Sequence, residues 1–159
     1  MSIPTSSSRV DLSLLHPRFK RRLEAFFEDP RIRGRVVVTS GCRSYAKQKY
    51  LYDKYKAGRG NLAANPDWQR PDGFFKGSFH MEQPDGFCYA VDFGMISSKI
   101  KKWEVNAIAK HYGIHPTVSS EWWHHQPRDA DKWFEVQTGT PEPEENKKEP
   151  KMDWLGLVR

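Results

Sequence analysis

The sequence is poor in cysteine, in long apolar runs and in internal repetition. Two cysteines, Cys42 and Cys88, are too few for a disulfide scaffold or a thiolate zinc site, and they read as two free, half-buried thiols. No apolar run approaches the roughly 18 residues that a membrane span needs. The opening stretch MSIPTSSSRVDLSLL lacks the basic-then-apolar pattern of a secretory signal, so synthesis in the cytosol without export by the standard route is expected. No internal repeat is found.

What is present fits one soluble domain. The 159 residues are 37% apolar and 29% charged, enough for a real core. Aromatics reach 13%, with six tryptophans, a surplus that can line a groove as well as a core. The formal charge is +6, and because residues 141–159 carry five acids and four bases, residues 1–140 hold +7. A basic face favours a polyanion: nucleic acid, anionic lipid or an anionic bacterial wall. Charge alone does not choose among them.

Residues 1–10 are polar and read as a flexible N-terminus, 11–138 as the folded domain, and 139–159, with PEPEENKKEP, as a linker-like tail. Pro17 suits the first position of a helix, in which Phe19, Leu23, Phe26 and Phe27 recur at helical spacing. The β-branched run 35–39 reads as a buried strand. Ser44 can cap a second helix from Tyr45 to about Ala57, stopped by Gly58. Residues 58–77 form a long loop dense in Gly, Pro, Asn and Asp, and loops of that length are more often functional than idle. Residues 87–93 alternate as a strand, with Phe87, Tyr89, Val91 and Phe93 on one side and Cys88, Ala90 and Asp92 on the other. Ser98 is the expected cap of a third helix with a stripe of Trp103, Ala107 and Ile108, and Thr117-Val118-Ser119 looks strand-like. Strands interleaved with helices, without a regular βαβ rhythm, indicate an α+β fold.

The chemistry concentrates in four residues. Catalytic zinc takes three protein ligands and leaves one position open, usually with a free carboxylate nearby to accept a proton. His80 precedes the alternating strand, Asp92 sits on that strand's small-residue face, and Glu121 and His124 are three apart, so a helical turn or tight bend brings them to one side. His80, Asp92 and His124 can close on one metal with Glu121 beside the open position. Singly, the histidines also read as ordinary surface or core residues, and Glu121 as a surface acid. Asp92 in an apolar strand is harder to dismiss, because a buried carboxylate without a partner is costly.

Ser78-Phe79-His80, then Ala90-Val91-Asp92, then Glu121-Trp122-Trp123-His124 resembles the paired signatures of the M15 (VanY-type) D-alanyl-D-alanine carboxypeptidase family, which includes phage endolysin L-alanyl-D-glutamate peptidases. Thr39-Ser40-Gly41-Cys42-Arg43-Ser44, with Gln48 and Leu51 after it, resembles the family's Ser-Gly-Tyr-Arg-Ser stretch. The likeness spans about residues 12–127. It implies a small antiparallel sheet with flanking helices carrying the site, of the Hedgehog/DD-peptidase type. It implies one zinc per chain on His80, Asp92 and His124, with Glu121 as general base. Arg43 would reach the substrate's carbonyl or carboxylate, with Gln48, Ser78 and Trp123 as further substrate contacts. The chain departs from the pattern in spacing: eleven residues, 81–91, separate His80 from Asp92 where six are usual. Cys88 stands in place of Gly, and Cys42 in place of Tyr. The extra residues around MEQPDGF can bulge out as a loop; alternatively Glu82 or Asp85 replaces a ligand. His111, His115 and His125 match no role and read as supporting or surface residues.

The resemblance implies peptidoglycan as partner, without nucleic acid or membrane, and a monomer is expected. One setting is a phage endolysin made in the host cytoplasm and released to the wall at lysis; a cytoplasmic D,D-carboxypeptidase acting on wall precursors is the alternative. Two other functions compete: a catalytically inactive wall-binding module on the same fold, and a nucleic-acid protein suggested by Lys99-Ile100-Lys101-Lys102. No recognised nucleic-acid motif accompanies that lysine run.

Overall fold

In the computed structural model the described residues are 2–134. The expected tail at 139–159 lies outside them. Three helices, α1 (Pro17–Glu28), α2 (Tyr45–Lys56) and α3 (Lys102–His111), alternate with strands β1 (Val36–Ser40), β2 (Val91–Met95) and β3 (His124–His125), and a 3-10 turn at Ala130–Lys132 follows. The strands form one antiparallel sheet in the order β1-β2-β3. The fold is α+β, as expected.

α1 starts at Pro17 and is capped by His16, whose side chain accepts from the Arg18 amide at 3.2 Å. Phe19, Leu23, Phe26 and Phe27 point into the core at helical spacing, and Phe26 stacks on Phe93 of β2 at 5.1 Å. Val36 and Val38 of β1, Val91 and Phe93 of β2, and Val105, Ile108 and Ala109 of α3 complete that core. Transfer of such side chains from water, about 1.5–3 kcal/mol each, holds the sheet against α1 and α3.

Four local expectations need correcting. Cys42 and Cys88 are not free thiols; they form a disulfide with Cα atoms 5.7 Å apart. β1 and β2 are antiparallel neighbours, so the turn leaving β1 and the segment entering β2 meet at one end of the sheet. The ladder of the second expected strand is 91–95 rather than 87–93. Cys88 instead bridges Leu15, with His16 N donating to Cys88 O at 3.0 Å and Cys88 N to Leu14 O at 2.8 Å. α3 is capped at Lys101, whose amide donates to the Glu104 carboxylate at 2.9 Å, not at Ser98. Its buried stripe is Val105, Ile108 and Ala109, while Trp103, on the opposite face, is 68% exposed. Finally, Thr117-Val118-Ser119 is not a strand; the pairing there is between His115 and Gln126.

The first residues are also engaged. Ser6 N donates to Val38 O and Val38 N to Pro4 O, both at 2.9 Å, so this stretch runs beside β1. At the other end of β1, Val38 pairs with Phe93 but Ser40 with Asp92, which leaves Thr39 as an extra residue. Such a bulge bends a strand and re-aims its side chains. Here it turns the chain into Gly41, where a Cβ would collide with the Asp11 carbonyl, and on to Arg43.

Candidate metal centre

β2 lies in the middle of the sheet, and Asp92 pairs with Ser40 on one side and His124 on the other. That register brings Asp92 and His124 together. His80 arrives from a turn held across the sheet end, where Arg43 N donates to His80 O at 2.8 Å and Glu82 N to Arg43 O at 3.1 Å. The ligand-type atoms of His80, Asp92 and His124 all lie within 4.8 Å of one another. His80 Nε2 is 3.1 Å from Asp92 Oδ1 and 3.2 Å from His124 Nδ1; His124 Nδ1 is 3.6 Å from Asp92 Oδ1.

The outer nitrogens fix what those atoms are. His80 Nδ1 is 2.9 Å from Gly41 O, which can only accept, so Nδ1 carries the proton and a neutral His80 presents a lone pair at Nε2. His124 Nε2 is 2.7 Å from Gln126 Oε1, which likewise leaves Nδ1 as the lone-pair atom. Two imidazole lone pairs and a carboxylate thus converge, and three acceptors facing one another call for a cation. The electrostatics agree with a ligand set. Burial pushes His80 below its usual pKa, towards the neutral form. A neutral imidazole and an ionised carboxylate are the forms that bind metal, and two nitrogens with one oxygen suit zinc.

The cluster forms part of a cleft of about 1000 Å³, whose wall also includes Arg43, Gln48, Ser78, Glu121 and Trp123. Every site residue expected from the sequence therefore meets there. Glu121 and His124 are joined by a tight turn, with His124 N donating to Glu121 O at 3.4 Å. Arg43 Nη2 is 3.9 Å from Asp92 Oδ2, and its guanidinium donates to Gln48 Oε1 at 3.3 Å and Ser40 Oγ at 3.4 Å. Burial pushes the Arg43 pKa down, opposed by Asp92 and Glu121; guanidinium nonetheless stays charged in proteins. Gln48 is buried and also donates to Ala64 O at 2.9 Å, tying α2 to the long loop.

The extra residues between His80 and Asp92 do form a loop outside the cluster. Gly86 N donates to Gln83 O at 2.8 Å, and Gln83 in turn bonds both backbone groups of Phe75. Asp85 accepts from the Tyr89 hydroxyl and the Phe87 amide, and Glu82 is exposed. Neither belongs to the group of His80, Asp92 and His124 that could hold a metal among the described residues. Sequence reasoning missed Gln126, although its place two residues after His124 in an extended segment puts both side chains on one face. It also left His125 without a role. That ring is fully buried, stacks on Phe93 at 4.1 Å, and bonds Trp123 O at 2.8 Å and Asn106 Oδ1 at 2.7 Å. His111 is exposed.

No protein-family model matches the chain, and no curated protein does. Among solved structures, the chain is similar to the LdcB LD-carboxypeptidase, whose structure was described as revealing the basis of peptidoglycan recognition. The TM-score is 0.55 at 18% identity, over 82% of this chain and 68% of that one. A vancomycin-resistance D,D-pentapeptidase, VanY from the VanB-type cassette, solved with Zn(II), aligns at a TM-score of 0.48 and 19% identity, over 76% of this chain and 81% of that one. The fold is thus of the kind seen in LdcB.

Proposed function

We propose that this chain is a zinc metallopeptidase that hydrolyses an amide bond in peptidoglycan stem peptides. The observation that carries the reading is the convergence of His80 Nε2, Asp92 and His124 Nδ1 in a cleft that Glu121 and Arg43 also line. The likeness of fold to a carboxypeptidase of peptidoglycan supports the choice of substrate. His80, Asp92 and His124 would hold the zinc, which when bound supplies Lewis acidity and brings a water's pKa to about 7. In this reading Glu121 takes a proton from the attacking water and passes it to the leaving amine. Arg43, steadied by Gln48 and Ser40, offers its charged fork to a substrate carboxylate or to the developing oxyanion. Ser78 and Trp123 contact the peptide.

The proposed setting is a phage endolysin, cutting either the L-alanyl-D-glutamate or the D-alanyl-D-alanine bond, made in the host cytoplasm and acting on the wall as a monomer after release at lysis. The net charge of +6 supports an anionic wall as its destination. A second reading, a cytoplasmic D,D-carboxypeptidase acting on wall precursors, draws support from Arg43, because a fixed cation in the cleft suits a terminal carboxylate. An inactive wall-binding module would have no use for Glu121 beside a complete ligand set. Metal analysis with turnover on a soluble stem pentapeptide tests the core of the proposal. About one zinc per chain is expected, lost in His80→Ala and in Asp92→Ala. Full metal content in either variant, or a zinc-loaded protein that cuts no stem peptide, would overturn it.

A further inference from the structure

We infer that the outward face of α2 is a docking surface for the carboxylate-bearing peptide–glycan mesh of the bacterial wall, so that the enzyme grips the polymer beside the bond it cuts. The inference rests on the peptidase reading above and adds to it a place on the molecule. α2 is twelve residues long and buries one side chain, Gln48. A helix normally earns its stability by burying an apolar stripe; this one is held by the Gln48 bond to Ala64 O, the bond from the Tyr45 hydroxyl to Asp67, and its cap at Ser44. Of its other residues Leu51, Tyr52 and Lys54 are half-buried and the rest are exposed, and all but one of its charges are positive. Lys47, Lys49, Lys54 and Lys56 face a single acid, Asp53, which pairs with Lys49 at 3.2 Å. Among the described residues no carboxylate pairs with Lys47, Lys54 or Lys56.

Lys47, Tyr50 and Lys54 stand at i, i+3 and i+7 and so form one stripe. Tyr50 is 57% exposed, with Lys47 Nζ at 5.7 Å and Lys54 Nζ at 5.9 Å from its ring centre. Both ammonium groups are thereby gathered on one outward spot. A single-stranded nucleic acid would want a row of open aromatic faces for successive bases. Here the lysines approach the Tyr50 ring, and Tyr52 and Tyr55 lie against each other at 6.5 Å. The surface presents cations more than stacking platforms, which matches a polymer with spaced carboxylates. The same helix carries Gln48 into the cleft wall, and Lys76, on that wall, lies 5.4 Å over the Trp68 ring. A polymer held along the stripe keeps neighbouring stem peptides at the cleft, which raises their effective concentration there without new contacts at the site.

The test compares insoluble sacculi with a soluble stem peptide containing the same bond. The full-length double variant Lys47→Gln/Lys54→Gln removes two charges and keeps good helix formers. It should lose roughly tenfold in rate on sacculi, the scale expected when cations that steer a polyanion are removed, and nothing on the soluble peptide. The loss should persist on sacculi stripped of phosphodiester polymers by hydrogen fluoride, and the wild-type advantage should fade as salt rises. A variant equal to wild type on sacculi overturns the inference. So does a difference that vanishes on stripped sacculi, which would assign the face to a phosphate polymer, or competition by single-stranded DNA as effective as that by soluble wall fragments. If no form cuts the soluble peptide, the peptidase reading fails by itself. Co-sedimentation of wild type and variant with sacculi then still decides the docking face.

Discussion

At the scale of single residues, the candidate centre depends on atoms outside the His80, Asp92 and His124 group. Gln126 fixes the outer nitrogen of His124, so Gln126→Leu removes the acceptor and lets the ring change tautomer. Losing such a partner typically weakens metal affinity by about 10–100-fold. Competition for zinc against a chelator of known affinity reads that loss, and unchanged affinity would show that Gln126 does not hold the ring. His16 allows a prediction about stability. Burial first, then Arg18, Arg21 and Arg22, push its pKa from 6.5 down to about 4. Between those values the unfolded chain binds a proton that the folded protein refuses, so stability is full above about 6.5 and falls as pH drops towards 4. His115 shifts the same way, also to about 4 and mainly through burial. The urea midpoint should therefore fall between pH 7 and pH 4.5, and His16→Asn, which can still cap α1, should flatten part of that fall. A His16→Asn variant with the full wild-type slope would remove His16 from the account.

Among the elements, the turn between β1 and α2 carries the greatest load. It supplies Gly41 O to His80, Arg43 to the cleft, and Cys42 to the disulfide. With its cysteines 46 positions apart in the sequence, the disulfide should contribute roughly 4 kcal/mol by restricting the unfolded chain. Cys42→Ser/Cys88→Ser should lower the urea midpoint accordingly and loosen Arg43, raising KM for stem peptide more than it changes zinc content. A midpoint unchanged from that of wild type verified to be oxidised would contradict this. The helix α1, the strand β1 and the helix α2 were legible in the sequence, because Pro17, the valine run and Ser44 state their local structure without help. Asp92 was legible for a related reason, as a carboxylate among apolar alternating residues. The disulfide was not, because a count of two cysteines says nothing about where strands bring them. Nor was the buried face of α3. Residue type alone weighs Trp103 heavily, whereas the packing partner of that helix selects Val105, Ile108 and Ala109. The stretch 87–90 alternates like a strand, but its partner is the backbone around Leu15, a long-range pairing that no periodicity records.

For the whole molecule, sequence and geometry meet in one place. Four segments far apart in the chain, ending at Arg43, His80, Asp92 and the Glu121–His124 turn, share one cleft, and the basic surface of α2 flanks it. The sequence order of these blocks pointed to the site, and the antiparallel register of β1, β2 and β3 explains why they converge. What the sequence left open was support: which groups orient the ligands, and what the eleven-residue spacing does, which is to make a self-bonded loop beside the cluster. The proposed chemistry requires zinc and Glu121 together to hydrolyse the wall's peptides. The most direct test is a mass-spectrometric digest of purified peptidoglycan by wild type and by Glu121→Gln, each with its zinc content measured. Wild type should release one new amine terminus in the stem peptide, and the variant should hold equal zinc with a rate lower by about 10²–10⁴. A variant that digests peptidoglycan near the wild-type rate, or a zinc-loaded wild type that releases no new amine, would contradict it.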